Sequence, residues 1–562
     1  MADDREFNLL DEPWIKVMDG EGRVADVGLR DCFRRAHEFK ALAGDMPPQD
    51  VAVLRLLLAI LYAALARDLF RRGGDWKEAR DMWKGIWEAG LFPMDRLETY
   101  FKEWQDRFWL FHPERPFYQV NGVQGTRYSA AKLFGDLSES ENKVRLFPIR
   151  AGAGKKSMDK ADAARWLLYL IAFDDTSVKP SKEAKSLNKK EKRKHEEKNR
   201  DNRGSLAGLG LVYVVGGNLF QTLLMNWVLF DPFHKTVYPD EPPCWEVNTA
   251  RVEERAFIRQ PLSPCSLFTL QSRRISLERD RNDQVTGYRI IHGDGFDGEC
   301  CFAENMTLWR LDTSKNAHFP KPFDAARQSW RDLQALTLQD TAKHHRPPGV
   351  LAFIPIWQKT LGIKPHSILR INTMGVEYCP KKSSVDNAFA DTLTMNAGLL
   401  KDLVSSPWLH YIHNAVHLTD DAVCCLGRFA GDLLEFSGVD KETVQGKRKH
   451  ELFAGEVREQ AFFALDVPFR NWLAAIDPES DNLDATRKRW LEETMKRLLL
   501  NLSSELLGEM GIKCMAVTGK EIIKWKIIDR DGKTIKIKVI LHHAMEALIF
   551  LENELSRIVK GV

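Results

Sequence analysis

The sequence predicts an α+β protein: a mixed α/β N-terminal domain over residues 1–383, then a C-terminal helical bundle over 384–562. Three observations predict it. A length of 562 residues exceeds what one hydrophobic core normally serves. From about 120 to 380, short β-like runs such as LVYVV (211–215), SLFTL (266–270) and GYRII (287–291) alternate with short helical segments. Beyond 384, long amphipathic stretches follow one another at 384–405, 408–436, 450–475, 483–508 and 541–559. Ser406-Pro407, Gly438, Pro478 and Gly508 punctuate them, which is the pattern of an up-and-down bundle of four or five helices.

Each element has a local reason. Phe7–Val17 (FNLLDEPWIKV) alternates like a strand that turns Trp14 into a core, and Arg23–Val27 is its partner after the Asp19-Gly20 turn. Pro47-Pro48 opens a helix that runs to Phe70, because a first-turn position does not need the missing N–H. A second helix covers Trp76 to Glu88 and stops at Gly90; a third covers Met94 to Phe108. FHPERPF (111–117), with two prolines, is a loop, and Trp330 to Leu336 is a short helix. IIKWKIIDRDGKTIKIKVI (522–540) alternates around Asp531-Gly532 and reads as a β-hairpin inserted between the last two bundle helices. Residues 179–203 hold eleven Lys and Arg against five Asp and Glu, a net +6 in a chain whose total is +3. That segment has almost no apolar content and is expected to be a basic insertion, disordered when free.

Composition limits the setting. None of the nine cysteines forms a C-x-x-C pair, so neither a zinc site nor a disulfide framework is indicated, and a reducing cytoplasm is expected. MADDREF has no basic or apolar region of a signal peptide, and the apolar run Val51–Ala66 carries Arg55 and is too short to span a bilayer. It is expected to be a buried helix, with no membrane partner.

Enzyme motifs fail on inspection. GAGKKS (152–157) lacks the first glycine of a P-loop and has Lys156 where the hydroxyl belongs. Gly293–Gly298 fits G-x-G-x-x-G, but Asp294 and Asp297 would repel a pyrophosphate and no apolar helix follows; a β-hairpin turn is the expected reading. His410, His413 and His417 share one helix face, so the alternative function is a cytosolic metal-dependent hydrolase. A polar helix face is the competing explanation, and no cofactor is called for.

Basic features point to nucleic acid instead. The 179–203 segment would attract phosphates with a strong salt dependence. Lys381, Lys382 and Ser383 precede a predicted helix, with Ser383 and Asp386 spaced as a capping box, so the two lysines would stand beside a helix N-terminus. Arg310 lies on TLWRLD before FPKPF (319–323), and Arg273-Arg274 lie on a strand-like run; each alone is an ordinary surface cation.

FNLLDEPWIKV, LLAILYAA (57–64), FHPERPF, GNLFQTLLMN (217–226), PCW (243–245), QSRRISL (271–277) and MTLWR (306–310) follow one another in an order that resembles CasA, the large subunit of the type I-E CRISPR surveillance complex Cascade. Only 179–203 and 522–540 look like additions. The resemblance implies a non-catalytic subunit that assembles with a CRISPR guide RNA and the Cascade backbone and small subunits. It implies reading of the protospacer-adjacent motif (PAM) in target double-stranded DNA from the minor groove, insertion of a wedge that starts strand separation, and recruitment of a helicase–nuclease. Guide pairing would supply the remaining specificity. By position, the wedge loop falls after Tyr378, at Lys381, Lys382 and Ser383, with Lys382 where some relatives carry glutamine. A motif-contacting lysine of the family matches Arg310. The glycine-rich loop falls near Ser177–Lys182, with Lys179 and Lys182 or the later Gly204–Gly208 in its place. A loop that anchors the subunit to the guide's 5′ handle would include Phe147 and Arg150.

Overall fold

The computed structural model describes residues 5–134, 152–175, 203–247, 258–339, 345–362, 367–378, 385–511, 514–515, 521–530 and 533–560. The chain forms two units. The first comprises Met1–Ser329, Ala335–Ile363 and Leu369–Leu393; the second comprises Trp330–Gln334, Lys364–Ile368 and Thr394–Val562.

The first unit begins with β1 (Glu6–Asn8), β2 (Ile15–Asp19), β3 (Val24–Val27) and β4 (Phe39–Leu42). β2 lies between β3 and β4, with Ile15 opposite Val27 and Val17 opposite Leu42. The strand expected over 7–17 is therefore broken. Leu9–Trp14 turns, and the buried Trp14 indole closes that turn by donating to the Leu9 carbonyl at 2.9 Å.

The Pro47–Arg71 helix, with a π-helical turn at Tyr62–Ala66, is long and apolar enough to cross a membrane. Yet 89% of its apolar window is buried inside the protein, as expected of a core helix. Arg55 sits within it, 2% exposed, and its guanidinium holds Glu304 through two bonds of 2.9 and 2.7 Å. The Trp76–Ala89 helix starts at Asp75, which accepts from the Lys77 and Glu78 N–H groups, and stops at Gly90 with φ of 70°. The Met94–Trp104 helix leads through a 3-10 turn to β5 (Trp109–Phe111), which pairs with β1.

β6 (Thr126–Ser129), the Lys160–Phe173 helix, β7 (Leu211–Val215), the Leu219–Asn226 helix and β8 (Ile258–Arg259) follow. SLFTL is not a strand: Ser263 caps a helical turn at Pro264–Leu267, so its proline marks a helix start. β9 (Arg273–Arg279) and β10 (Val285–His292) form a sheet with β6 in the order β6-β10-β9. The Gly293–Gly298 stretch is not a hairpin turn. It contains β11 (Gly295–Phe296), which runs parallel to β8. β12 (Leu308–Asp312) and β13 (Ala317–Lys321) form a hairpin. β14 (Ile368–Tyr378) and β15 (Val385–Asn396) complete a sheet in the order β15-β14-β7. A helix over 384–405 was expected; a strand occupies most of it. Leu393 and Met395 are buried while Thr392 is exposed, which is the period of a strand.

The second unit carries the bundle. Its helices are Pro407–Phe436, Val444–Ala475, a run from Leu483 to Met510 with a π-helical turn at Leu491–Lys496, and Ala544–Lys560. β16 (Ile522–Arg530) and β17 (Lys533–Leu541) form the expected hairpin, tied to the first of these helices by Lys524 to Asp432 at 2.7 Å. Trp330 is buried against Phe469, ring centroids 4.2 Å apart, and donates to Asp466 at 2.9 Å.

Candidate nucleic-acid interface

The C-terminal end of the Lys160–Phe173 helix gathers chain segments that are far apart in sequence. Asp159 caps its start by accepting from the Asp162 N–H at 2.7 Å, and an apolar run carries it to Phe173. Tyr378, the last residue of β14, donates its hydroxyl to the Phe173 carbonyl at 2.9 Å. Burial pushes that phenol well above its usual range, so it stays a neutral donor. The Arg203 guanidinium lies over the Tyr378 ring, 5.8 Å from its centroid. Next to it, the Gly204 N–H donates to the Asp174 carbonyl at 3.1 Å and the Leu206 N–H to the Ala172 carbonyl at 2.9 Å. A Cβ on Gly204 would stand 2.3 Å from the Ala172 oxygen, so only glycine fits this approach.

Two acids follow the helix, where its own carbonyls already concentrate negative charge. Asp174 is paired with Arg273 of β9, and Asp175 with Lys132 of the short helix Ala130–Leu133; all four are buried. Phe134 packs edge-on against Trp166 of the same long helix, centroids 6.2 Å apart. The anchors therefore meet: Phe134, after which residues 135–151 depart; Asp175 and Arg203, which bracket 176–202; and Tyr378, after which 379–384 depart.

Most of the residues predicted to read nucleic acid ride on those segments. Phe147, Arg150, Lys179, Lys182, Lys381, Lys382 and Ser383 lie outside the described residues. Their anchors share one foundation. Gly204 is buried in it and Gly208 is half-buried just beyond. The setting of Lys381–Ser383 is corrected: no helix starts at Ser383. β14 and β15 are bonded neighbours joined by only six residues, too few for a parallel crossover, so the connection is the tip of a β-hairpin.

Arg310 is exposed on β12, its guanidinium 5.9 Å from the centroid of Phe319 opposite it, and Lys315 lies 5.0 Å from the same ring. The Leu308 N–H of this strand donates to the Gly210 carbonyl at 3.0 Å, and Thr307 bridges Leu211 of β7. The Arg310 hairpin is thus fastened to the sheet that ends in Tyr378. Arg273 and Arg274 are not surface cations. They are 2% and 3% exposed, and Arg274 donates to Asp294 at 3.0 Å, which gives an acid of the G-x-G-x-x-G stretch a structural partner. Sequence reading missed Lys132, Asp174, Asp175 and Arg273. The one available signal was an Asp-Asp pair directly after an apolar helix.

The histidine face does not gather into a site. The His410 ring lies 3.0 Å from the Ser406 carbonyl, and His417 pairs with Asp421 at 3.1 Å. Among the described residues, no group of three or more His, Cys, Asp and Glu is placed to hold a metal.

Comparison with known proteins gives a consistent picture. A Thermus thermophilus CRISPR-associated protein CasA/Cse1 is 31% identical over 348 residues, which take in 59% of this chain and 60% of that protein's length. The crystal structure of Thermobifida fusca Cse1 superposes with a TM-score of 0.78 at 26% identity, covering 99% of this chain and 98% of that one. A chain of a structure described as a CRISPR RNA-guided surveillance complex has the same fold, with a TM-score of 0.65 at 16% identity over 98% of this chain and 99% of that one. The family model of CRISPR-associated protein Cse1 matches residues 8–501, most of the sequence, and the chain belongs to that family.

Proposed function

We propose that this protein is the large, non-catalytic subunit of a type I-E Cascade complex. In this reading it binds the PAM of target double-stranded DNA, starts strand separation and recruits the helicase–nuclease. Its other partners are the guide RNA and the backbone and small subunits, and it works in the cytoplasm. The observation that carries the reading is the shared foundation at Phe173–Asp175. Basic segments 135–151, 176–202 and 379–384 depart from one place, so their cations can act on one stretch of duplex.

The chemistry rests on the residue types. Lysines of 176–202 supply sequence-independent attraction to phosphates. Arg310, exposed on a rigid hairpin, suits a narrow minor groove, where negative potential is enhanced. Lys381, Lys382 and Ser383, at the tip of a hairpin held by Tyr378, enter the duplex. Opening a base step costs a few kcal/mol, offset by new backbone contacts. Lys382 donates only, so it cannot reproduce the paired donor and acceptor of an amide. The double substitution Lys381→Ala, Lys382→Ala is expected to weaken binding of PAM-bearing duplex by the assembled complex while guide loading stays intact. Unchanged affinity in a gel shift would overturn the assignment.

A further inference from the structure

Three of the sequence segments on which the family resemblance rests meet at a place the function above does not use. FHPERPF, PCW and QSRRISL all contribute to one cavity of about 160 Å³ in the first unit. Arg115 and Arg107 stand at it, Tyr118 and Trp245 supply ring surface, and Gln271 and Cys244 supply polar atoms.

The walls are fixed. The buried Trp245 indole donates to the Tyr100 hydroxyl at 2.7 Å and lies 6.1 Å from the Tyr118 ring, at 35°. Tyr118 is held at φ of 55°, a left-handed conformation that costs energy for a bulky residue and tends to occur at ligand sites. The cations are not spoken for. Arg107 donates to the Val247 carbonyl at 3.2 Å, and among the described residues neither it nor Arg115 has an acid partner. Glu114 stands at the rim, exposed, and leaves a net charge of +1. Burial, and then the neighbouring Arg115, lowers the pKa of Arg107, as expected where two cations share a pocket without an anion.

We propose that this cavity is a nucleotide site, taking one pyrimidine ring against Tyr118 and Trp245 and its phosphate across the Arg107 and Arg115 guanidiniums. A phosphate matches two forked guanidiniums in charge and geometry. Size sets the ring: a cavity of about 150 Å³ takes one benzene-sized ring, so a purine does not fit. The Gln271 amide and the Tyr118 hydroxyl can address the edge of the base. The ligand is a free pyrimidine nucleotide or one nucleotide of a strand; both present the same ring and phosphate, and they differ only in whether the phosphate is esterified to a further nucleotide.

The test is calorimetric titration of the purified full-length protein with uridine and cytidine monophosphate, adenosine monophosphate, inorganic phosphate and a short oligouridylate. The expected result is saturable one-to-one binding of a pyrimidine nucleotide, at least about tenfold tighter than of phosphate or adenosine monophosphate. Arg115→Gln, at an exposed position that leaves folding intact, should weaken it about tenfold, the loss of one charge-assisted hydrogen bond. Tighter binding of the oligonucleotide identifies a strand as the ligand; equal binding identifies the free nucleotide. Absent binding, phosphate or purine bound as tightly, or no effect of Arg115→Gln would overturn the proposal. Loss of nucleotide binding in the Lys381→Ala, Lys382→Ala variant would also overturn it, because the nucleotide would then sit at the loops. Failure here leaves duplex binding untouched, so it is distinguishable from failure of the function proposed above.

Discussion

The Tyr378 hydroxyl donates to the Phe173 carbonyl at 2.9 Å across 205 positions of sequence. This single bond ties the base of the β14–β15 hairpin to the helix end from which the basic 176–202 segment departs. Tyr378→Phe keeps the ring and removes the bond. It should cost about 1 kcal/mol in denaturant unfolding and weaken duplex binding by the assembled complex with the fold retained. Unchanged binding would show that the tie does not position the hairpin tip.

Beside it, the Lys132–Asp175 pair is buried and closes the same foundation. Removing one partner leaves an uncompensated charge, so Lys132→Ala is expected to cost roughly 3–5 kcal/mol. Lys132→Met combined with Asp175→Leu should cost much less, because no charge is left behind. Equilibrium unfolding of the two variants against the parent measures the difference.

The basic segment makes an ionic prediction. Deleting 179–203, with eleven Lys and Arg, should flatten the dependence of duplex affinity on salt while leaving the preference among PAM sequences in place. Affinities measured between low and physiological salt give the slope. An unchanged slope would mean that the segment does not meet phosphate.

Asp50 gives a pH effect. Burial, opposed by the Gly44 N–H bond at 2.7 Å and reinforced by Asp45, pushes its carboxyl up to about 6. Its unfolded value is about 3.9. Between those values the folded protein holds a proton that the unfolded chain has lost, so the Asp50 contribution to stability falls as pH rises from about 4 to about 6 and is flat above. Asp50→Asn should therefore be more stable than the parent at pH 7, by on the order of 1–2 kcal/mol, and show little advantage near pH 4. Denaturant curves at the two pH values check this.

How much was legible depended on how local the signal was. The bundle helices over 407–510 and the β16–β17 hairpin follow from periodicity and turn residues within each segment. The stretch after Ser383 misled, because Ala, Asp and Asn suggested a helix while the buried Leu393 and Met395, with Thr392 exposed beside them, kept a strand period. The buried ion pairs could not be read: Arg273 finds Asp174 across 99 positions, and Arg55 finds Glu304 across 249. Cations that look alike in sequence, Arg274 and Arg310, differ only in burial, which the fold decides.

The central claim is that this subunit selects targets through Arg310 and the hairpin tip at Lys381–Ser383. The direct measurement is a binding selection on duplexes with a randomised PAM, using the assembled complex with the parent subunit, Arg310→Ala, and Lys381→Ala with Lys382→Ala. A strong sequence preference with the parent that is relaxed in Arg310→Ala, and weakened binding across all sequences with the hairpin variant, is the predicted result. A preference identical in all three complexes would contradict the account.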